Sequence, residues 1–365
     1  MELFVGFIIF CLIFGWKYMK RLRNLFPQNT ERIQKKVIAQ QAAAHESIDD
    51  IFEGFIGNEG AVYLLKRELR FARQSLENKL PAFGLFGPPS TGKTELARRI
   101  TKALGLPMLT LSKSTLSKEE NFFNEVSKEI EDVSDGMLVA PPMVIFIDEA
   151  HVLPGRIQDS LLTALESDDR CFRSALGDIN THNITFIIAT TDPGKFRSAF
   201  RSRLFEINLE SYTIEQIVEI LKWRRKNDKD INAFSLFIPD EALAYIAKAA
   251  RATPRRAIDL LKVVAKAIFL GDVEPTLEDI QGDMWRTLSC DRNGLVGIDR
   301  KYLRFLADRE TAGLSLLVAA LGMDKDNITN VIEPWLVQNE LIERSRAGRS
   351  ITIKGYLLVH PQGRK

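Results

Sequence analysis

The sequence predicts an α/β fold in which a largely parallel sheet is layered with helices, and three observations carry that prediction. From about residue 48, apolar strand candidates at 83–86, 107–111, 143–147, 184–189 and 204–209 alternate with helical patterns. The run Met143-Val144-Ile145-Phe146-Ile147 is apolar throughout instead of at every second position, as a strand covered on both faces requires. The first strand, ending in Phe86, passes directly into Gly87-Pro88-Pro89-Ser90-Thr91-Gly92-Lys93-Thr94, which passes directly into the helical pattern Glu95-Leu96-Ala97-Arg98-Arg99-Ile100.

Strand, G-x-x-x-x-G-K-T loop and helix in that order predict a phosphate-binding loop. Backbone N–H groups of such a loop wrap the β-phosphate, and the helix that Glu95 helps to open presents its positive end. Lys93 then reaches the β- and γ-phosphates, and the Thr94 hydroxyl ligates Mg²⁺. A nucleoside triphosphate, ATP, is the expected ligand; a Gly-rich turn carrying Lys-Thr by chance would leave the flanking strand and helix unexplained. Ser90 stands where many such loops have a third glycine, so backbone freedom is reduced there.

The buried strand candidate 143–147 ends in Asp148-Glu149-Ala150-His151. Asp148 is placed to hold Mg²⁺ through water, and Glu149 to orient and polarise the attacking water, since phosphoryl transfer depends on positioning and charge stabilisation. The competing reading is two acids opening an exposed helix. His151 is one of four histidines in the chain and reads as a locally packed residue, not a metal ligand.

At the N-terminus, Leu3 to Trp16 carries no charge, and Lys17, Lys20, Arg21 and Arg23 follow. A helix over residues 3–19 would be roughly 25 Å long, somewhat short of an average hydrocarbon core but workable for a single span. A membrane anchor is expected, with everything after it cytoplasmic by the positive-inside rule. A cleaved signal peptide is the rival, but the positive charges follow the apolar core and no small-x-small site is present; a buried or interfacial helix is the third reading. Residues 20–47 are polar and Gln/Ala-rich, a spacer whose basic half suits an anionic membrane surface or plain solvent equally.

The whole chain has 365 residues, enough for two or three domains, and a net charge of +2, which excludes a global electrostatic bias toward nucleic acid. Cys11, Cys171 and Cys290 are odd in number and widely spaced, which argues against a zinc site or disulfide framework and for a reducing compartment. Beyond Tyr212 the strands stop; helical patterns at 213–226, 239–251 and 254–270 predict a small helical domain. A last unit starts near Gly294, where three short helical patterns (299–306, 313–322, 329–336) precede a strand, tight turn and strand over 341–354, which reads as a winged helix. Residues 341–365 hold six Lys/Arg against one acid, a local basic excess that the net charge hides.

Taken together these residues resemble the AAA+ ATPases and, within them, the RuvB family of Holliday-junction branch-migration motors, over nearly everything after residue 48. The segment Asp50–Glu59 is similar to the one before the phosphate loop that contacts adenine, which makes Phe55, Ile56 and Gly57 candidates for the base pocket. Ile188-Ala189-Thr190-Thr191-Asp192 resembles sensor 1, implying that Thr190 contacts the γ-phosphate or the attacking water. Phe200-Arg201-Ser202-Arg203 resembles the arginine-finger segment, with Arg203 the finger and Arg201 its neighbour. A guanidinium given across a subunit boundary stabilises the charge on the transferred phosphoryl, which couples hydrolysis to assembly. Ala252-Thr253-Pro254-Arg255 is similar to sensor 2, where Arg255 reaches the γ-phosphate from the helical lid.

The C-terminal Ile332-Glu333-Pro334-Trp335-Leu336 helix and Arg-rich wing also resemble the RuvB family. The resemblance implies that Arg344, Arg346 and Arg349 bind duplex phosphates or a minor groove, with salt-sensitive affinity; winged helices that dock proteins are the alternative. In the family a β-hairpin engages a RuvA-like adaptor. Here it would fall within Glu166 to Asn183, shorter and more charged than that hairpin, which leaves the adaptor open.

The expectation is a transmembrane anchor (1–19), a linker (20–47), a large AAA+ ATPase domain (48–211), a helical lid (212–293) and a winged-helix DNA-binding domain (294–365). The expected function is an ATP- and Mg²⁺-dependent motor, assembled as a homo-hexameric ring, that branch-migrates or remodels four-way junction or duplex DNA. The alternatives are a membrane-tethered ATPase that remodels a protein and a clamp-loader-like switch.

Overall fold

The computed structural model describes residues 46–74, 80–111, 116, 119–134, 142–165, 171–174, 177–228 and 235–360. The expected anchor over 3–19 and nearly all of the linker lie outside the described residues, among which no helix is long and apolar enough to cross a membrane. Two compact units form: one holds the chain up to Glu53 and Asn58–Leu209, the other Gly54–Gly57 and everything from Glu210.

The first unit opens with α1 (Ile48–Ile51), where the Ser47 hydroxyl accepts from the Asp50 N–H at 3.0 Å. Helix α2 (Glu59–Gln74) buries Val62, Leu65, Leu69 and Ala72, a single stripe at helical spacing. Then come β1 (Phe83–Phe86), α3 (Lys93–Leu104), β2 (Met108–Leu111), α4 (Glu119–Ser134), β3 (Met143–Ile147) and α5 (Gly155–Leu165). A hairpin, β4 (Cys171–Ser174) with β5 (Gly177–Asn180), precedes β6 (Ile184–Thr190), α6 (Ser198–Arg201) and β7 (Phe205–Asn208).

Five strands make one parallel sheet in the order β2-β3-β6-β1-β7. All five residues of β3 and all four of β1 are buried, as their unbroken apolar runs demand. Because β6 lies between β1 and β3, with Phe86 opposite Thr190 and Ile147 opposite Ile188, the C-terminal ends of three strands open at one edge of the sheet. That edge is where open α/β sheets bind ligands.

In the second unit, α7 (Ile214–Asn227) starts in a capping box made by Thr213 and Gln216, and α8 (Asp240–Ala249), α9 (Pro254–Leu270) and α10 (Leu277–Leu288) follow. Pro254 occupies the first turn of α9, where a missing N–H costs nothing. Between α8 and α9, Arg251 and Ala252 both sit in the left-handed region, at φ 56° and 51°. Two consecutive non-glycine residues there store about 1–2 kcal/mol each.

The chain continues through α11 (Gly297–Ala307), α12 (Leu314–Leu321), α13 (Lys325–Asn327), a π turn over Ile328–Ile332 and α14 (Glu333–Gln338). Strands β8 (Ile342–Arg344) and β9 (Arg349–Ile351) pair antiparallel as the wing, and Ala312 bridges to Arg349. The residues expected to extend the second strand turn instead into α15 (Ile353–Val359), because the Thr352 hydroxyl caps it by accepting from the Gly355 N–H at 3.0 Å. Tyr302, Leu303, Leu317, Ile328 and Leu336 are fully buried in the core beneath the wing.

Candidate active site

The loop from Gly87 to Thr94 leaves β1 and enters α3 through Gly92, which adopts φ 90° and whose carbonyl accepts from the Leu96 N–H at 2.8 Å. Gly87 admits no side chain: a Cβ would lie 2.4 Å from the Leu209 carbonyl oxygen. Its N–H donates to the Thr190 carbonyl at 3.3 Å, which ties the loop to β6. Pro88, Pro89 and Ser90 are exposed at the tip, whereas Thr91 is buried with its hydroxyl donating to the Pro88 carbonyl at 2.9 Å.

Ser90 stands at φ 63°. Ser90→Gly is expected to relieve about 1 kcal/mol and to raise the melting temperature of this unit by roughly 2–4 °C. Differential scanning calorimetry on the full chain checks it, and an unchanged or lower transition would show the loop to be unstrained.

Lys93 is buried and donates to the Gly87 and Pro88 carbonyls at 2.8 and 2.7 Å. Burial pushes its ammonium below the ordinary lysine range, opposed by the charges of Glu149 and Asp148. A triphosphate oxygen would therefore meet a partly desolvated cation held at the loop centre. Glu95 is the third residue of α3, where its carboxylate accepts from Arg99 Nε at 3.0 Å.

From the end of β3, Asp148 Oδ2 accepts the Thr94 hydroxyl at 3.3 Å, and Asp148 Oδ1 caps the Glu149 N–H at 3.0 Å. A hydroxyl and a carboxylate oxygen thus converge beside Lys93, a donor set that fits a hard divalent cation keeping most of its water.

Glu149 turns the chain at φ 53°, and its Oε2 lies 3.2 Å from His151 Nδ1 and accepts from the Thr191 hydroxyl at 3.4 Å. Thr190 is fully buried; its hydroxyl accepts from the Asp192 N–H at 3.0 Å and meets His151 Nδ1 at 3.3 Å. The structure therefore brings Lys93, Thr94, Asp148, Glu149 and Thr190 together. It adds Thr191 and His151 as the groups that hold the glutamate, a role that spacing alone does not reveal.

Arg201 is engaged within its own chain. Its Nε and Nη2 donate to Glu206 at 2.6 and 2.9 Å, and this pairing holds the Glu206 carboxyl below the usual range. Arg203, two residues on, is exposed.

In the second unit, Gly54 packs against Trp223 and Gly57 against Tyr212, and Ile56 lies against the core of α7–α9. Phe55 is half-buried beside it. Arg255 is exposed on the first turn of α9.

The wing arginines divide. Arg349, expected to contact DNA, is turned inward: its Nε and Nη2 donate to the fully buried Glu333 carboxylate at 2.8 and 3.2 Å. Tyr302 donates to the same carboxylate at 3.0 Å, its phenol pushed up by burial and by the Glu333 charge, so it remains a donor. Arg344 Nε lies 3.3 Å from Glu333 while its side chain stays about half-exposed, and Arg346 at the turn is exposed. A carboxylate buried at the base of the wing needs a cation to be tolerated there, and Arg349 supplies it.

Glu333→Gln would leave Arg349 short of its charge partner, at an expected cost of about 3–5 kcal/mol to the wing's attachment. Amide exchange over 342–351 in the full chain is expected to quicken by roughly two orders of magnitude; unchanged protection would contradict this account.

Three comparisons bear on this geometry. Residues 83–212 match the ATPase family associated with various cellular activities (AAA), and residues 292–360 match the RuvB C-terminal winged helix domain. The chain is 30% identical over 320 residues to a Holliday junction branch migration complex subunit RuvB of a Wolbachia from Brugia malayi, covering 85% of this chain and 91% of that one. It is 31% identical over 312 residues to the protein of that name from Thermotoga maritima, covering 83% and 88% of the two. The solved Thermotoga maritima RuvB Holliday junction branch migration motor superposes with a TM-score of 0.65 at 29% identity, over 87% of this chain and 98% of that one.

Proposed function

Because this chain belongs to the RuvB family of AAA+ ATPases, we propose that it is an ATP-driven motor that branch-migrates Holliday junctions or remodels duplex DNA. The observation that carries this reading is the coupling, in one chain, of a phosphate loop flanked by Asp148 and Glu149 to a RuvB-type winged helix. In the proposed cycle the loop amides and Lys93 hold the β- and γ-phosphates of ATP, and Phe55, Ile56 and Gly57 flank its base. Thr94 and Asp148 would hold Mg²⁺, which neutralises phosphate charge. Glu149 orients the attacking water, with Thr190 close to its path.

Arg203 of one subunit would reach the phosphate on the next, so hydrolysis requires the ring, a homo-hexamer in this reading. Arg255 would report the γ-phosphate to the helical lid. On the wing, Arg346 and Arg344 are the DNA-facing cations. The β4–β5 pair would be the docking element for a RuvA-like adaptor, if this chain uses one. An anchor over residues 3–19 would tether this motor to a membrane with its ATPase domain cytoplasmic.

The test is the ATPase rate of the full chain in mild detergent, across a salt series, with no DNA, linear duplex or a four-way junction. Junction DNA is expected to stimulate hydrolysis, and Arg346→Ala to weaken binding while lowering the salt slope by about one. A vigorous ATPase indifferent to every DNA would transfer the assignment to a protein remodeller.

A further inference from the structure

The chain between α8 and α9 is strained where no catalytic contact explains it. Arg251 and Ala252 are consecutive left-handed residues, and they stand only four and three positions before Arg255. Strain of this kind persists where the surroundings over-determine it, and it marks functional segments more often than inert ones. Here the surroundings are a side chain reaching out of the lid. Arg251 Nη2 donates to Asp299 Oδ1 at 2.6 Å, and Nη1 donates to the Val331 carbonyl at 3.4 Å.

Both partners belong to the winged helix. Asp299 lies in the first turn of α11, with its other oxygen accepting from the Val296 N–H at 3.1 Å. Val331 is in the π turn, where the widened helical repeat alters where carbonyls point. The pair is enclosed, with Arg251 6% and Asp299 0% exposed at the side chain, and Arg251 Nε finds no acceptor among the described residues.

Stability alone is a poor reason for such an arrangement. Buried ion pairs are often matched or exceeded by packed apolar residues of the same volume, and an orphaned buried N–H adds a further penalty. Burial pushes the Asp299 carboxyl up, opposed by Arg251, and Arg256 beside them is pushed down by burial and by the Arg251 charge. What the pair does supply is direction. A displacement of α11 or of the π turn acts through a short rigid guanidinium on Arg251, and from there through a strained turn and a φ-locked proline to Arg255.

We propose that the Arg251–Asp299 pair is the link through which DNA engaged by the winged helix acts on Arg255, making Arg251 a positioning residue for the γ-phosphate sensor. The inference rests on the motor reading above for the roles of the DNA and of Arg255. Reciprocity follows: triphosphate sensed at Arg255 alters the winged helix by the same coupling.

The experiment compares the full wild-type chain with Asp299→Asn, and with the double variant Arg251→Met/Asp299→Leu in case the first does not fold. Hydrolysis is measured with and without a four-way junction, and junction affinity by anisotropy. Asp299→Asn is expected to keep its basal rate and its junction Kd within about twofold while the stimulation factor falls by about fivefold or more. Stimulation preserved in the folded variant, or lost in step with DNA affinity as a merely structural role would have it, overturns the link.

Should wild type prove indifferent to DNA, the motor reading falls by itself, and amide exchange over 297–307 in ATPγS against ADP decides the link independently. A nucleotide-dependent difference in wild type that vanishes in the variant supports it. No difference in wild type overturns it.

Discussion

Arg203→Ala is expected to cut the ATPase rate of the assembled protein by about three orders of magnitude or more while leaving ATP binding nearly intact. The reasoning begins with its neighbour. Arg201 donates through Nε and Nη2 to Glu206 on its own β7, so of the two arginines Arg203 is the exposed one after α6. A planar guanidinium delivered into a neighbouring site meets the phosphoryl oxygens in a fork, and a lysine there would not substitute.

Two controls sharpen this. Arg201→Ala should destabilise the turn and lower the rate far less. Mixing Arg203→Ala subunits with Lys93→Ala subunits should restore part of the activity, since each supplies what the other lacks. Wild-type turnover by Arg203→Ala alone would remove the residue from its role.

Glu149→Gln comes next in size, with hydrolysis lowered by about 10²–10⁴-fold and ATP affinity held within a few-fold. The amide keeps the volume and can still accept from the Thr191 hydroxyl, now 3.4 Å from the carboxylate, but it loses the negative charge that polarises water. Lys93→Ala should do the reverse and weaken triphosphate binding itself, because it deletes the only buried cation of the loop among the described residues. Equilibrium binding of a fluorescent ATP analogue beside single-turnover hydrolysis separates the two. Near-normal single-turnover rates in Glu149→Gln would reassign the water to another group.

The inner strands were readable because burial on both faces leaves an unbroken apolar run, as in Phe83–Phe86 and Met143–Ile147, whereas the edge strands β2 and β7 carry polar residues such as Thr110 and Glu206 and rest on their place in the alternation. The hairpin was legible only through the family resemblance: Gly177-Asp178-Ile179-Asn180 has no such signature, and its partner Cys171–Ser174 lies against α5. Helix α10 has no clear periodic signature because Gly282 and three acids, Glu278, Asp279 and Asp283, interrupt its stripe. At α15 the β-branched Ile351-Thr352-Ile353 read as strand until the Thr352 cap decided otherwise.

The site divides in the same way. Contiguous motifs such as Gly87–Thr94 and Asp148-Glu149 could be read directly, since the chemistry lies in adjacent residues. Partners distant in sequence could not: nothing in the wing's pattern reveals that Glu333, 16 residues earlier, pairs with Arg349. Nor does any spacing announce that Arg251 reaches Asp299 across 48 residues.

The strand order carries a consequence for the birth of the protein. Strand β1 has two neighbours, β6 and β7, and Phe83 is paired with Ile187 on one side and Phe205 on the other. The middle of the sheet therefore stays open until more than a hundred further residues (187 − 83 = 104) have been synthesised. At ordinary translation speeds of about 5–20 residues per second that is an interval of roughly 5–20 seconds. Throughout it, Phe83-Gly84-Leu85-Phe86 is an unpaired apolar edge on the nascent chain, a natural target for ribosome-associated chaperones and the segment at which a stalled or truncated product would begin to aggregate.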